Sequence, residues 1–265
     1  MTRRSALVDV DGGGRIEVVV TGDDPDVVLV PSAQRGAADF HRLADDLWAA
    51  GHGSAAINPR GVGASSPVPE GVTLRTVAGD VAGVAAALVD GPAHVVGHAL
   101  GNVVARATAA YHPDVVRSVT LLACGGHDVA TTPPPDDVLV HFDRCHRMEL
   151  PDAVRIESLG RVFFAAGNDP SVWLTGWWPG ADVRGIFDTT DPAEWYTAGA
   201  ADVLIVVPLE DILCPRHVGL DLRDAIGSRA RYVEVAHCGH AILPEQPEVV
   251  ASEIIAFLAA QAVDA

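Results

Sequence analysis

The stretch Ala93-His-Val-Val-Gly97-His98-Ala99-Leu100-Gly101-Asn102 decides how this chain of 265 residues folds. A short apolar run ends in Gly-x-x-x-Gly and passes at once into a helix-like segment, residues 103–112, so the sequence predicts a strand, a sharp turn and a helix. The middle residue of such a turn is forced into a strained conformation. Gly97 and Gly101 carry no Cβ to collide with the neighbouring strand and helix.

Outward from this turn, the chain alternates. Residues 16–20 and 27–30 are β-branched runs separated by Gly22-Asp-Asp-Pro25, which predicts two strands joined by a turn. The loop Pro31-Ser-Ala-Gln-Arg-Gly36 opens a helical pattern over 37–50, with Phe40, Leu43 and Leu47 on one face and Gly51 as the stop. A strand at 54–57 leads into the glycine-rich loop Asn58-Pro-Arg-Gly-Val-Gly-Ala-Ser65. An amphipathic helix over 73–89 follows, with Val77, Val81, Val84 and Leu88 at helical spacing.

After the elbow helix a strand is expected at 116–123, and then the alternation lapses. Residues from about 125 to 200 hold Pro133-Pro-Pro135, Pro151, Pro170, Pro179 and Pro192 between short helical pieces, while 203–207 resumes as a buried strand. A helix at 216–226, a strand at 231–235 and a closing helix at 247–261 complete the chain. The fold class is therefore α/β, a mostly parallel sheet covered by helices on both faces with an inserted helical lid. The core is expected at 1–126 and 201–265 and the lid at 127–200. In such sheets ligands bind at the carboxyl ends of the strands, where the elbow sits.

Composition excludes several classes of function. Hydrophobic residues make up 49% of the chain, enough for a full core in one domain. The formal charge of -17 repels nucleic acid and acidic membrane faces, so neither is expected as a partner, and a small-molecule substrate is. No lysine occurs, which excludes Schiff-base and pyridoxal-phosphate chemistry through a protein amine; no cofactor is implied. The amino-terminal residues reach Asp9 before an apolar stretch develops, and no later run has the length of a membrane span, so a cytoplasmic protein is expected. Cys124, Cys145, Cys214 and Cys238 are widely spaced and read as separate reduced thiols. His217, His237, Cys238 and His240 match no zinc spacing, so no metal site is expected.

Several landmarks together resemble the α/β-hydrolases over nearly the whole chain outside the lid. Gly97-His98-Ala99-Leu100-Gly101 is similar to that family's nucleophile elbow, with Ala where the family carries Ser, Cys or Asp. Asn58-Pro-Arg-Gly-Val-Gly-Ala-Ser65 is similar to the Asp-x-Arg-Gly-x-Gly-x-Ser loop, with Asn58 replacing Asp. The segment 203–215 resembles the strand and loop that deliver the triad acid four residues before a proline, here Asp211 before Pro215, with Pro208 where a Gly usually opens the loop. The segment 236–248 resembles the loop of the triad histidine, His240. The resemblance thus implies the order nucleophile, acid, histidine as Ala99, Asp211, His240, with the first position inert.

His240 can accept and return a proton near neutral pH if a carboxylate fixes its tautomer, and Asp211 is the expected partner. The amides of Leu100 and Ala33 are expected to form an oxyanion hole, because those donors do not depend on a side chain at position 99. Ser32, where most family members have Gly, together with His98, Trp173 and Trp177, is a candidate for the substrate pocket. For His98 and the two tryptophans ordinary packing is the competing reading, and for Ser32 a turn cap is. Asp128, just after the strand end at Ala123, is a reserve acid. Cys238 is disfavoured as a substitute nucleophile because it lies off the elbow.

Three functions stay open on these residues. One is an enzyme that uses His240 and Asp211 as a non-covalent acid/base pair on a small, largely apolar carbonyl or ester-type substrate, as hydroxynitrile lyases and cofactor-free dioxygenases of the resembled family do. The second is a serine hydrolase in which an engineered Ser-to-Ala exchange put Ala99 at the elbow. The third is a ligand-binding protein that kept the pocket and lost catalysis.

Overall fold

The computed structural model describes residues 2–124, 134–181 and 183–263. Its strands are β1 (Arg3–Val10), β2 (Gly14–Thr21), β3 (Pro25–Val30), β4 (Gly53–Asn58), β5 (Ala93–His98), β6 (Val116–Leu122), β7 (Asp202–Pro208) and β8 (Ala230–Val235). They form one eight-stranded sheet in the order β1-β2-β4-β3-β5-β6-β7-β8. The first two strands run antiparallel to their neighbours, and from β4 to β8 every pairing is parallel.

The principal helices are α1 (His41–Ala49), α2 (Leu74–Leu88), α3 (Leu100–Tyr111), α4 (Asp136–Cys145), α5 (Asp152–Phe163), α6 (Arg216–Ile226), α7 (Ile242–Glu245) and α8 (Pro247–Val263). Successive residues of a strand point to opposite faces, and the core divides accordingly. Val28, Val30, Val95 and Val119 pack with α2, α3 and α6 on one face. Leu29, Val96, Leu122 and Leu204 pack with α1 and α8 on the other. Each fully buried Val or Leu contributes about 1.5–3 kcal/mol, which is why the central strands read as near-continuous apolar runs.

Two differences from the sequence-based expectations have simple causes. The edge strand β1 carries no apolar run, because one side of it faces solvent: Val8 and Val10 are buried, while Leu7 is half exposed. The helix expected at 37–50 begins instead as a 3-10 turn at Ala37–Phe40 and becomes α-helical at His41. The loop before α2 is anchored from two sides. Glu17 accepts from the Asn58 side-chain amide at 2.8 Å and from Ala64 N at 2.9 Å, and Asn58 Oδ1 accepts from Ala37 N at 2.8 Å. Asn58 thereby bridges a carboxylate and an amide, using both the donor and the acceptor of its carboxamide.

The chain order places the site. From β3 the chain moves to β4 on one side, then crosses to β5 on the other side of β3. The loops leaving the carboxyl ends of β3 and β5 therefore diverge and leave a crevice between them. Into that end of the sheet come residues 31–36, the elbow after β5, the loop after β7 with Asp211, and the loop after β8 with His240. The segment between β6 and β7 interrupts the alternation with α4, α5 and short 3-10 turns, and it packs around its own cluster of Phe163, Phe164, Trp173 and Trp177.

Candidate active site

Ala99 closes β5 and caps α3 with φ 51° and ψ −113°. This conformation is sterically costly for any residue with a Cβ. The turn is closed by Ala99 N donating to Leu122 O at 3.0 Å and Asn102 N donating to Ala99 O at 3.0 Å. A Cβ on Gly97 would strike the backbone of Gly101, and one on Gly101 would strike the carbonyl oxygens of Val30 and Pro31. The second glycine thus lets the elbow sit directly beneath the loop that leaves β3.

His240 Nδ1 lies 2.8 Å from Asp211 Oδ2, and both residues are buried. The other carboxylate oxygen of Asp211 accepts from Leu213 N at 2.9 Å and Cys214 N at 3.0 Å. Burial alone would raise the Asp211 carboxyl, but His240 and these two amides outweigh it and hold the group below its ordinary value, as a carboxylate. An ionised Asp211 accepts a hydrogen bond from Nδ1–H. That leaves Nε2 as the basic nitrogen, and none of the described residues hydrogen-bonds to it. Pro208 at the end of β7 pairs with Val235, and the loop beyond it still brings Asp211 to His240.

Among the described residues, one group of metal-ligating types is close enough to share an ion: Asp211, Cys214 and His240. Its donors do not suit a metal. The carboxylate is committed to His240 and two amides, and burial pushes the Cys214 thiol well above its ordinary value, so it is held as a thiol. Cys238 is likewise raised by burial, and Glu245 beside it adds to the shift, which makes it a poor nucleophile.

Leu100 is the first residue of α3, where helical geometry leaves the amide without an intrahelical acceptor. Ala33 lies in the turn closed by Arg35 N and Ser32 O at 3.1 Å. Both residues, with Ser32, Gln34 and Arg35, line a narrow cavity. Its walls are otherwise mostly Ile, Val and Pro from β2, β3, β4, α2 and α3, with Ala181 and Val183 from the inserted segment. Ala99, Asp211 and His240 do not line it, so the cavity runs from the amide side of the elbow away from the imidazole.

His98, Trp173 and Trp177 are not among the cavity's lining residues. His98 is buried, its Nε2 2.8 Å from the His240 carbonyl oxygen, and its ring is 5.9 Å from Trp173 and 5.5 Å from His240. Trp173 and Trp177 meet edge to face at 6.1 Å, and Phe163 stands 5.7 Å from His240. His98 and Phe163 stand beside the imidazole, and the two tryptophans pack on Phe163 rather than line the cavity. Asp128 lies outside the described residues.

Three groups escaped the sequence reading. Arg35 is buried with its guanidinium over both Trp173, at 4.7 Å, and Trp177, at 4.8 Å; it is paired to Asp39 and donates to Thr175 O at 2.8 Å. The i,i+4 spacing of Arg35 and Asp39 was its signal. Arg60 and Asp80 form a buried bidentate pair, both bonds 2.7 Å, on the cavity wall. A lone Asp within the apolar stripe of α2 was theirs. Glu245 accepts from Gly239 N at 2.7 Å and from Ala165 N at 2.7 Å, tying the histidine loop to the inserted segment.

Known proteins share this arrangement of elements. The Mycobacterium tuberculosis (strain H37Rv) protein named Putative non-heme bromoperoxidase BpoC is 26% identical over 255 residues, covering 89% of this chain and 94% of its own. The crystal structure of that protein superimposes with a TM-score of 0.73 at 24% identity, over 98% of this chain and 97% of the other. A thermophilic esterase from Thermogutta terrifontis, in a malate-bound structure, gives a TM-score of 0.78 at 20% identity, over 97% and 99% of the two chains. The sequence model of the alpha/beta hydrolase family matches residues 27–253, and the chain belongs to that family, as an enzyme of hydrolase or related chemistry.

Proposed function

We propose that this enzyme works without a covalent intermediate: His240, oriented by Asp211, acts as a general base and acid on a small, largely apolar carbonyl or ester-type substrate. The observation that carries the reading is the buried 2.8 Å contact between His240 Nδ1 and Asp211 Oδ2, which leaves Nε2 as the basic nitrogen in a chain whose elbow apex holds only a methyl group. With no hydroxyl at position 99, His240 takes its proton from a water or from an acidic C–H or O–H of the substrate. The developing oxyanion is held by the amides of Leu100 and Ala33, and the imidazolium by Asp211. The proton returns from Nε2 to the leaving group or to the carbanion. General acid/base catalysis of this kind supplies roughly two to four decades of rate, enough for activated esters and acidified C–H bonds.

The test is hydrolysis of an activated aryl ester by the protein and by His240→Ala and Asp211→Asn. Replacement of His240 is expected to lower kcat/KM by about 100-fold or more, with Asp211→Asn intermediate. An unchanged rate in His240→Ala would end the proposal.

A further inference from the structure

Residues 32–35 form a tight turn at the amide end of the cavity. Arg35 N donates to Ser32 O at 3.1 Å, and Gln34, third in the turn, has φ 59°. That is the left-handed region, where glycine or asparagine usually occupies this turn position and a longer side chain is strained. The chain places a glutamine there, only 8% exposed. Its main-chain oxygen accepts from Trp178 N at 2.9 Å, which docks the inserted segment on the turn.

The side chain has no such commitment. None of the described residues hydrogen-bonds to Gln34 Oε1 or Nε2, and neither atom is sealed from solvent although the residue is nearly enclosed and lines the cavity. A carboxamide gives two hydrogen bonds and takes two, and in apolar surroundings it needs partners for them. Ile16, Val30, Ile57, Val62, Val77 and Val81 offer none from their side chains. The two guanidinium groups of the lining are each bound to a carboxylate, Arg35 to Asp39 and Arg60 to Asp80. An anion entering this space would lose its hydration without gaining a free counter-charge. A neutral group that both gives and takes a hydrogen bond meets the carboxamide without that cost.

We infer that the Gln34 carboxamide faces the cavity and determines specificity, selecting substrates that carry a hydroxyl on the carbon next to the reacting carbonyl. The place of the hydroxyl follows from the turn: Gln34 directly follows Ala33, so its side chain serves the atoms nearest the carbonyl rather than the far end of an alkyl chain. The inference rests on the proposed function, because it takes the amides of Ala33 and Leu100 as the seat of that carbonyl. It narrows the substrate class to α-hydroxy carbonyl compounds with a short apolar chain.

The test is the Kd of 2-hexanone, 3-hydroxy-2-hexanone and 6-hydroxy-2-hexanone, measured by ligand-observed NMR with wild type, Gln34→Leu and Gln34→Gly. Wild type is expected to bind the 3-hydroxy ketone about fivefold more tightly than 2-hexanone, the usual gain from one neutral hydrogen bond, and the 6-hydroxy ketone no more tightly than 2-hexanone. Gln34→Leu keeps the bulk without the polar atoms, so it is expected to bind 2-hexanone as wild type does and to lose the preference. Gln34→Gly relieves the backbone strain and is expected to lose the same preference while remaining folded, which separates recognition from support of the turn. Equal affinity of wild type for 2-hexanone and its 3-hydroxy derivative, a preference for the 6-hydroxy ketone, or an undiminished preference in either folded variant overturns the inference. Ketone binding needs no proton transfer, so His240→Ala is expected to show the wild-type ranking, and failure of the catalytic proposal and failure of this one give different results.

Discussion

His98 Nε2 stands 2.8 Å from the backbone carbonyl oxygen of His240, so the residue before the elbow apex holds the loop that carries the imidazole. Burial pushes the His98 ring down to about 3, with the neighbouring His240 adding to the shift, so the ring is neutral and its one N–H is the Nε2 donor. Replacement by Leu removes the donor and strands a buried carbonyl. We expect His98→Leu to lose about 1–3 kcal/mol in urea unfolding, and kcat to fall with little change in KM, because the imidazole loses its register and the cavity does not. His98→Gln, which retains a donor, should recover part of kcat. Equal kinetics in the Leu variant and wild type would show that the loop is held by its other contacts.

Arg35 couples the loop after β3 to the inserted segment through the two tryptophan faces and Thr175 O, while Asp39 holds its guanidinium from below. Arg35→Met leaves Asp39 buried without its partner, and breaking such a pair costs about 3–5 kcal/mol. Arg35→Met/Asp39→Leu removes both charges and is expected to recover most of that loss. Thermal unfolding of the two single variants and the double variant measures the coupling, and additive losses would mean that the pair is not the source of the cost.

The fold was legible because its signals are local. Gly97 and Gly101 mark a turn whose sterics admit no alternative, and the central strands are apolar throughout because helices cover both faces. Asp211 and His240 were legible as partners only through the resemblance: 29 residues separate them, and their 2.8 Å contact depends on β7 and β8 lying side by side. Arg60 and Asp80, 20 residues apart, had no such guide, since their meeting depends on how α2 packs over the Asn58 loop. The tryptophans were readable as apolar, but their packing on Phe163 and beneath Arg35, away from the cavity, depends on contacts between the inserted segment and the loop after β3 that local spacing does not carry.

Acid should destabilise the protein through its buried neutral histidines. Burial lowers His94, which is bonded to Ser118 Oγ at 2.7 Å, to about 4. The unfolded chain takes up a proton near pH 6.5 and the folded one does not. The stabilisation from neutral His94 is therefore complete above about pH 6.5 and is lost progressively as the pH falls towards 4, at about 1.4 kcal/mol per pH unit. His94→Asn has no such titration, so the stability difference between wild type and variant should shrink or reverse at that slope between pH 6 and 4. A difference that stays constant with pH in urea titrations would contradict the assignment.

Restoring a hydroxyl at the elbow tests the whole site at once. The φ of 51° at Ala99 is the conformation that lifts a side chain into the crevice, and the two glycine contacts that permit it are intact. Ala99→Ser adds one oxygen at a half-buried position and is expected to change stability by less than about 1 kcal/mol. If Nε2 of His240 faces the apex, the new hydroxyl is deprotonated on attack, and an acyl-enzyme forms and is then hydrolysed by water. The variant should react with a fluorophosphonate probe at residue 99, seen by mass spectrometry, and give a burst with an aryl ester, while wild type does neither. A stable Ala99→Ser protein that the probe leaves unmodified would mean that the imidazole does not face the elbow, and the general base assigned to His240 would fall with it.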